Sequence, residues 1–362
     1  MTHTLIHTCN RSSWKLSWTF ILFFHHISAT KMSVTIPADQ EEVNKQPNGT
    51  AEVEDGTQNG LKPQKKSVFA KYILALRPWS FSASLTPVLL GSALAYRTTG
   101  TIDPLLVLIT CLAVTSVHAA GNLVNTYYDF MKGIDNKKSD DRTLVDHILE
   151  PNSVVGLGAT LYCIGCGCFV LLVHFSPLSM QHLALLYFGG LSGSFLYTGG
   201  MGLKYVALGD VVILITFGPL AVLFAYSVHV GKLTLSPLLY AIPLALNTEA
   251  ILHSNNARDM ETDKKAKVVT LAILLGQTGS YALYALLLFT PYILFAILAT
   301  NFSKWLFLPL ITLPLAFSLE RDFREHRMTK IPQKTAKLNL PLGLLYLLGC
   351  LMAQPGQLPG LS

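Results

Sequence analysis

Two stretches of this chain place oxygen-donor side chains at helical spacing beside cationic ones. In the first, Asn122, Asn125 and Asp129 fall at i, i+3 and i+7, one stripe of an α-helix. Asp135, Asp140 and Asp141 follow, interleaved with Lys132, Lys137, Lys138 and Arg142. In the second, Asn255, Asp259 and Asp263 fall at i, i+4 and i+8, again one stripe, with Arg258 and Lys264 adjacent. Hard oxygen donors suit Mg²⁺, which keeps several waters and is readily shared with phosphates. Interleaved Arg and Lys suit the remaining phosphate oxygens. A single Asp at a helix end reads as a solvated cap. Here two stripes repeat an amide-to-carboxylate spacing of four, 130 residues apart, which favours a shared site and hints at an internal repeat.

The elements that must carry these stripes are membrane helices. The 362-residue chain is 51% hydrophobic and only 13% charged, and its mean hydropathy is +0.44. A soluble domain carries roughly twice that charged fraction. Apolar tracts of bilayer-crossing length recur from Trp79 onward, and no alternating barrel pattern is present, so the fold class is all-α and polytopic. Nine spans are expected, near 79–96, 105–127, 152–174, 181–198, 207–229, 236–253, 269–298, 305–318 and 338–352. Pro291 marks the seventh as tilted, kinked or broken. Cys163, Cys166 and Cys168 lie inside a span and read as small buried packers rather than a zinc site.

Alternating nine spans puts the segment from Leu61 and the loops after spans two, four, six and eight on one side. Those segments hold twenty Lys and Arg, against three (Arg97, Lys232 and Lys304) on the other side. By the positive-inside rule the first side is cytosolic, so both stripes face the cytosol together. Basic residues distributed this way set membrane orientation and exclude a nucleic-acid partner. Residues 1–67 differ from the rest. A short apolar run, 18–27, precedes Met32, so 1–31 read as an upstream-start extension, and the polar stretch to residue 67 reads as a disordered tail. The membrane domain is expected over 68–362.

The two stripes and their flanks resemble the UbiA superfamily of intramembrane aromatic prenyltransferases. Those enzymes carry an N-D-x-x-D motif with a further Asp downstream, then a D-x-x-x-D motif. Here the first reads Asn125, Thr126, Asp129 and the second Asp259, Asp263. The continuation NNxRDxxxD and then Thr270 to Ala272 resembles the naphthoquinone branch. The runs 76–87, 137–146 and 196–200 resemble the vertebrate branch that forms menaquinone-4. Thr126 departs from the family, which has a carboxylate there. The resemblance leaves Asn125, Asp129 and Asp135 to supply the first half-site, with Thr126 hydrogen-bonding a bound water.

The resemblance implies a UbiA-type bundle with a cytosol-facing active site. Asn125, Asp129, Asp135, Asp259 and Asp263 would hold Mg²⁺ against the diphosphate of geranylgeranyl diphosphate. Arg142, Lys204 and Arg258 would contact the phosphates, and Asn255 and Asn256 would position ligands or waters. Arg77 would close the site from beneath, or act as an interfacial anchor. Asp129 and Asp259 would be catalytic, with Tyr197 facing the developing allylic cation or, like Arg77, serving as an interfacial anchor. The acceptor implied is a menadione-derived naphthoquinol, and the alternatives are a benzoquinone acceptor or a non-catalytic isoprenoid- or sterol-binding regulator. Endoplasmic reticulum and Golgi membranes are implied, with the mitochondrion second. Membrane lipid and a regulatory membrane protein such as a sterol-pathway reductase are implied partners.

Overall fold

The structure, a computed structural model, describes residues 68–135 and 141–361. The expected tail 1–67, with its upstream-start segment, lies outside the described residues, as do Lys137, Lys138 and Asp140. A short helix α1 (Val68–Ala75) leads through a 3-10 turn (Pro78–Ser80) into α2 (Ser82–Thr99), with a bend of 59°. Then come α3 (Pro104–Met131), α4 (Pro151–Phe175) and α5 (Met180–Thr198). Helix α6 (Gly209–Ile215) continues through one π turn (Thr216–Leu220) into α7 (Ala221–Val230). The chain ends with α8 (Ser236–Lys265), α9 (Leu271–Asn301), a 3-10 stretch (Lys304–Thr312) running into α10 (Leu313–Arg324), and α11 (Ile331–Met352).

Among the described residues these form nine helical rods over the nine stretches expected. Five are long and apolar enough to cross a bilayer, and six if the bent α1–α2 pair counts as one span. Helix α8 departs from a plain apolar span because it turns Asn247, Thr248, Glu249 and His253 inward, all of them buried. Pro291 does not break α9. The break is at Gly276, whose φ of 67° and ψ of −176° only glycine adopts at ease.

Local chemistry sets the helix ends that matter. Asp103 caps α3 by accepting from Leu105 N at 2.8 Å, with Pro104 in the first turn. Helices α3, α8 and α10 end alike. The amides of Ile134, Val268 and Arg327 return to the carbonyls of Asp129, Asp263 and Asp322, each at 2.9 Å. The residue before each amide is left-handed: Gly133, Lys267 and His326, at φ 68°, 57° and 56°. These are Schellman-type closures. They align Asp129 with Asp263 and Asn125 with Asp259, a repeat of 134 residues. The 130-residue spacing read from the sequence is therefore one helical turn short.

Two clusters make up most of the core. One joins α2, α7, α8, α9 and α11 around Tyr240, Tyr284, Phe295 and Tyr346; the other joins α3, α4, α5 and α7 around Leu172, Leu183 and Tyr187. Close approach of backbones replaces hydrophobic drive between helices in lipid. A Cβ on Gly91 would lie 2.5 Å from the Val222 carbonyl, and one on Gly218 2.3 Å from Ala245 Cβ. Of the three cysteines expected to be buried packers, only Cys168 is buried; Cys163 is exposed on the outer face of α4, and Cys166 is intermediate.

Candidate active site

The ends of α3 and α8 open into one polar pocket of about 250 Å³. Asn125, Asp129, Asp135, Arg142, Lys204, Asn255, Asn256, Arg258, Asp259, Asp263 and Arg77 all line it, so the two sequence stripes do meet. Tyr197 is the one expected site residue that lines the neighbouring apolar cavity instead.

The first stripe is held by the loop after α5. Lys204 Nζ donates to Asn125 Oδ1 at 2.7 Å and to Asp129 Oδ2 at 2.6 Å. Tyr205 OH donates to the other Asp129 oxygen at 2.9 Å, and Thr198 Oγ1 to Asn125 Oδ1 at 3.0 Å. Lys132 lies over the Tyr205 ring, 3.5 Å from its centre. This loop is stitched to the loop after α8: Ala207 N reaches Val269 O at 2.7 Å, and Val269 N reaches Tyr205 O at 3.1 Å. Thr198 and Tyr205 were not singled out from sequence; adjacency to Lys204 is the only signal Tyr205 offers.

Thr126 is buried and has protein partners. Its hydroxyl reaches Asp141 Oδ2 at 2.5 Å and the Asn122 carbonyl at 3.0 Å. Asp141 also accepts from Arg77 Nη2 and from Thr143 N, the latter at 2.9 Å. The carboxylate missing from position 126 is thus supplied from fifteen residues downstream, but it is committed to a cation. Arg77 itself is in the left-handed region, at φ 53°. It therefore acts as a strut from the α1–α2 bend to the loop after α3. Arg142 turns outward and pairs with exposed Asp146 at 2.8 Å.

The second stripe is self-paired. Arg258 donates to both Asp259 oxygens, at 2.8 and 2.6 Å, and to Asn255 Oδ1 at 2.9 Å. Asp263 is buried and Asp259 half-buried.

Electrostatics in the loop separates two carboxylates. Burial, then repulsion from Asp129 and Asp141, pushes Asp135 up to about 7. Burial opposes ionisation of Asp141 as well, but Arg77 and the hydrogen bonds from Thr126 and Thr143 outweigh it and hold that carboxyl well below the usual range.

Among the described residues no three carboxylate or imidazole groups form a closed metal cage. The donor set instead fits a cation shared with a ligand. Asp129, Asp135, Asp259 and Asp263 ring one pocket, and each carboxylate oxygen keeps lone pairs beyond its present partner. Added positive charge would favour the ionised form of Asp135, which burial and then the neighbouring carboxylates oppose.

Above the polar pocket lies an apolar cavity of about 240 Å³ between α3, α5, the α6–α7 π turn and α8. Tyr197, Val117, Leu191, Phe217, Leu220 and Phe224 are among its walls. Arg77, Trp79, Asn125, Lys204, Asn255 and Asn256 line both spaces, so the two adjoin across these side chains.

Comparison with known proteins agrees with this geometry. Residues 84–346 match the model of the UbiA prenyltransferase family. The chain is 62% identical over 333 residues to the mouse protein called UbiA prenyltransferase domain-containing protein 1, covering 90% of this chain and 99% of that one. It is 67% identical to the human protein of that name over 290 residues, covering 80% and 86%. Among solved structures, the fold resembles the apo UbiA homologue of Aeropyrum pernix K1, with a TM-score of 0.60 and 18% identity over 76% of this chain and 97% of that one. It also resembles the Archaeoglobus fulgidus homologue bound to GPP and Mg²⁺, with a TM-score of 0.53 and 14% identity over 76% and 99%. With two paired helix ends opening into a buried cavity and a family match over most of its length, this chain belongs to the UbiA prenyltransferase family.

Proposed function

We propose that this prenyltransferase transfers a geranylgeranyl group from its diphosphate to a menadione-derived naphthoquinol, forming menaquinone-4. The observation that carries the reading is that a polar pocket and an apolar cavity adjoin across six shared residues. A diphosphate held among the polar residues would set its allylic carbon beside the apolar space. An archaeal homologue of the same fold bound to GPP and Mg²⁺ supports a prenyl diphosphate and Mg²⁺ as the ligands. The naphthoquinol acceptor rests on the sequence runs that resemble the menaquinone branch.

Asp129, Asp259 and Asp263, with Asn125 and Asp135, would hold Mg²⁺. When bound, Mg²⁺ supplies neutralisation of the charge on the leaving diphosphate. Lys204 and Arg258 already point into the pocket and exchange a carboxylate for a phosphate oxygen as partner. Arg142 contacts the outer phosphate from the rim. The Tyr197 ring stabilises the allylic cation from the cavity wall, and the apolar walls keep water from it. The charge distribution supports a cytosolic mouth, where the diphosphate is dissolved, while both lipid substrates enter from the bilayer. The resemblance to the menaquinone-4 branch supports endoplasmic reticulum and Golgi membranes as the location, with the mitochondrion second.

The test is direct. Purified full-length protein with Mg²⁺, geranylgeranyl diphosphate and menadiol should yield menaquinone-4 by mass spectrometry. No product from folded protein rejects the reading, and product only with a benzoquinol reassigns the acceptor.

A further inference from the structure

Prenylation of a ring C–H releases one proton inside the apolar cavity, and no Asp or Glu lines that cavity among the described residues. Its one imidazole is His118, on α3, in the stripe that also carries Asn122, Asn125 and Asp129. We propose that His118 Nε2 binds the hydroxyl of the aromatic acceptor and takes the proton released on prenylation. This rests on the aromatic prenyl transfer proposed above.

Two serines orient the imidazole. With the Ser84 hydroxyl donating to the Phe81 carbonyl at 3.1 Å, Ser84 Oγ accepts from His118 Nδ1, 2.9 Å away. Ser80 Oγ in the same arrangement donates to the Arg77 carbonyl at 2.8 Å and accepts from Asn122 Nδ2 at 3.1 Å. In that arrangement Nδ1 carries the proton in the neutral ring. Nε2 presents a lone pair to Ser80 Oγ, 3.3 Å away, from an oxygen with no hydrogen left to give. Protonation at Nε2 turns that contact into a hydrogen bond. In the imidazolium both ring N–H groups have an acceptor, Ser84 Oγ and Ser80 Oγ.

The surroundings suit a flat ring. Phe217 meets the imidazole edge-on at 4.7 Å between centres and Phe81 at 5.5 Å. Phe217 is carried by the π turn, an irregularity that in helices often marks function. Trp79, Ala83 and Ile251 pack beside it.

The step balances. The ring carbon forms a C–C bond to the allylic carbon while the C–O bond breaks with its electron pair on the diphosphate. Positive charge spreads to the hydroxyl beside the attacked carbon; its proton passes to Nε2 and its bonding pair stays on oxygen as a ketone. Enolisation then moves the ring C–H proton to that oxygen and restores the quinol. An oxocarbenium-type O–H is a far stronger acid than an imidazolium, so the imidazole needs no unusual basicity. The proton passes to solvent as product leaves.

In full-length protein in lipid nanodiscs, His118→Gln is expected to lower kcat for ring prenylation about 100-fold or more, with Mg²⁺-dependent binding of geranylgeranyl thiodiphosphate within about twofold of wild type. The share of donor lost to water as prenyl alcohol should rise, which a purely structural role would not produce. A kcat within about threefold of wild type overturns the assignment. Should His118→Gln not fold, Ser84→Ala decides, because it removes the acceptor that fixes the tautomer. About a tenfold loss in kcat at unchanged binding supports the role, and an unchanged kcat overturns it. Wild type that binds the thiodiphosphate yet prenylates no aromatic acceptor overturns the underlying activity as well, a result distinct from equal turnover in wild type and variant.

Discussion

Asp129 has a fixed donor on each oxygen, Lys204 and Tyr205, and its backbone carbonyl closes the end of α3. Asp259 has Arg258 on both oxygens. Each carboxylate therefore holds a cation that a phosphate can claim. Asp129→Ala and Asp259→Ala should each lower turnover by about 100-fold or more while the protein stays folded, read by product formation beside thermal unfolding. Asp141 behaves differently, because its partner Arg77 is left uncompensated when it is neutralised. Asp141→Asn should cost roughly 3 kcal/mol of stability, seen as a lower Tm, as well as activity. The pH dependence follows from Asp135 and Asp263, both pushed up to about 7 by burial and then by neighbouring carboxylates. Both must be ionised to help hold a metal, so apparent Mg²⁺ affinity should rise as pH climbs through that value and level off above it. Below it, affinity should fall by up to about tenfold per pH unit for each proton displaced, and Asp135→Asn should reduce the slope in Mg²⁺ titrations of activity, leaving the share due to Asp263. Sequence named most of these residues because donor type and helical spacing are local. It did not reveal that Thr126 recruits Asp141, since that contact depends on how a loop folds back.

Helices α3, α8 and α10 share one closure, and in each an Asp carbonyl accepts the returning amide. The register of that closure puts Asp129 and Asp263 in equivalent places, which side-chain spacing alone had offset by one turn. Periodicity in the sequence located the rods because apolar length is a strong signal in membrane helices. Their ends were less legible, since α3 and α8 run on to Met131 and Lys265 in polar sequence held by capping and by the neighbouring loop. The break in α9 at Gly276 rather than Pro291 has the same cause: a proline inside a membrane helix is tolerated when neighbouring helices satisfy the freed carbonyl. Close packing at Gly91 was also invisible, because it depends on α7 arriving there. Gly91→Leu should destabilise the bundle by roughly 1–3 kcal/mol through forced separation of α2 and α7, measurable as a fall in Tm.

The whole molecule places its polar pocket at one end of the rods and its apolar cavity within them. Twenty Lys and Arg against three give the orientation expected, because the positive-inside rule reads loops without knowing how helices pack. In sealed microsomes, a cysteine at Lys267 should react with an impermeant maleimide added outside, while one at Lys232 should react only after permeabilisation; the reverse pattern would invert the topology. Which helices enclose the cavity was not legible, because that depends on pairing between distant rods. The central claim is that the two Asn/Asp helix ends form one metal-dependent diphosphate site. Equilibrium binding of geranylgeranyl thiodiphosphate to wild type, Asp129→Ala, Asp259→Ala and the double variant, with and without Mg²⁺, tests it most directly. The account predicts Mg²⁺-dependent tight binding in wild type, loss in each single variant, and little further loss in the double, because contacts to one shared ligand are not additive. Full Mg²⁺-dependent binding in either single variant, or losses that simply add in the double, would contradict it.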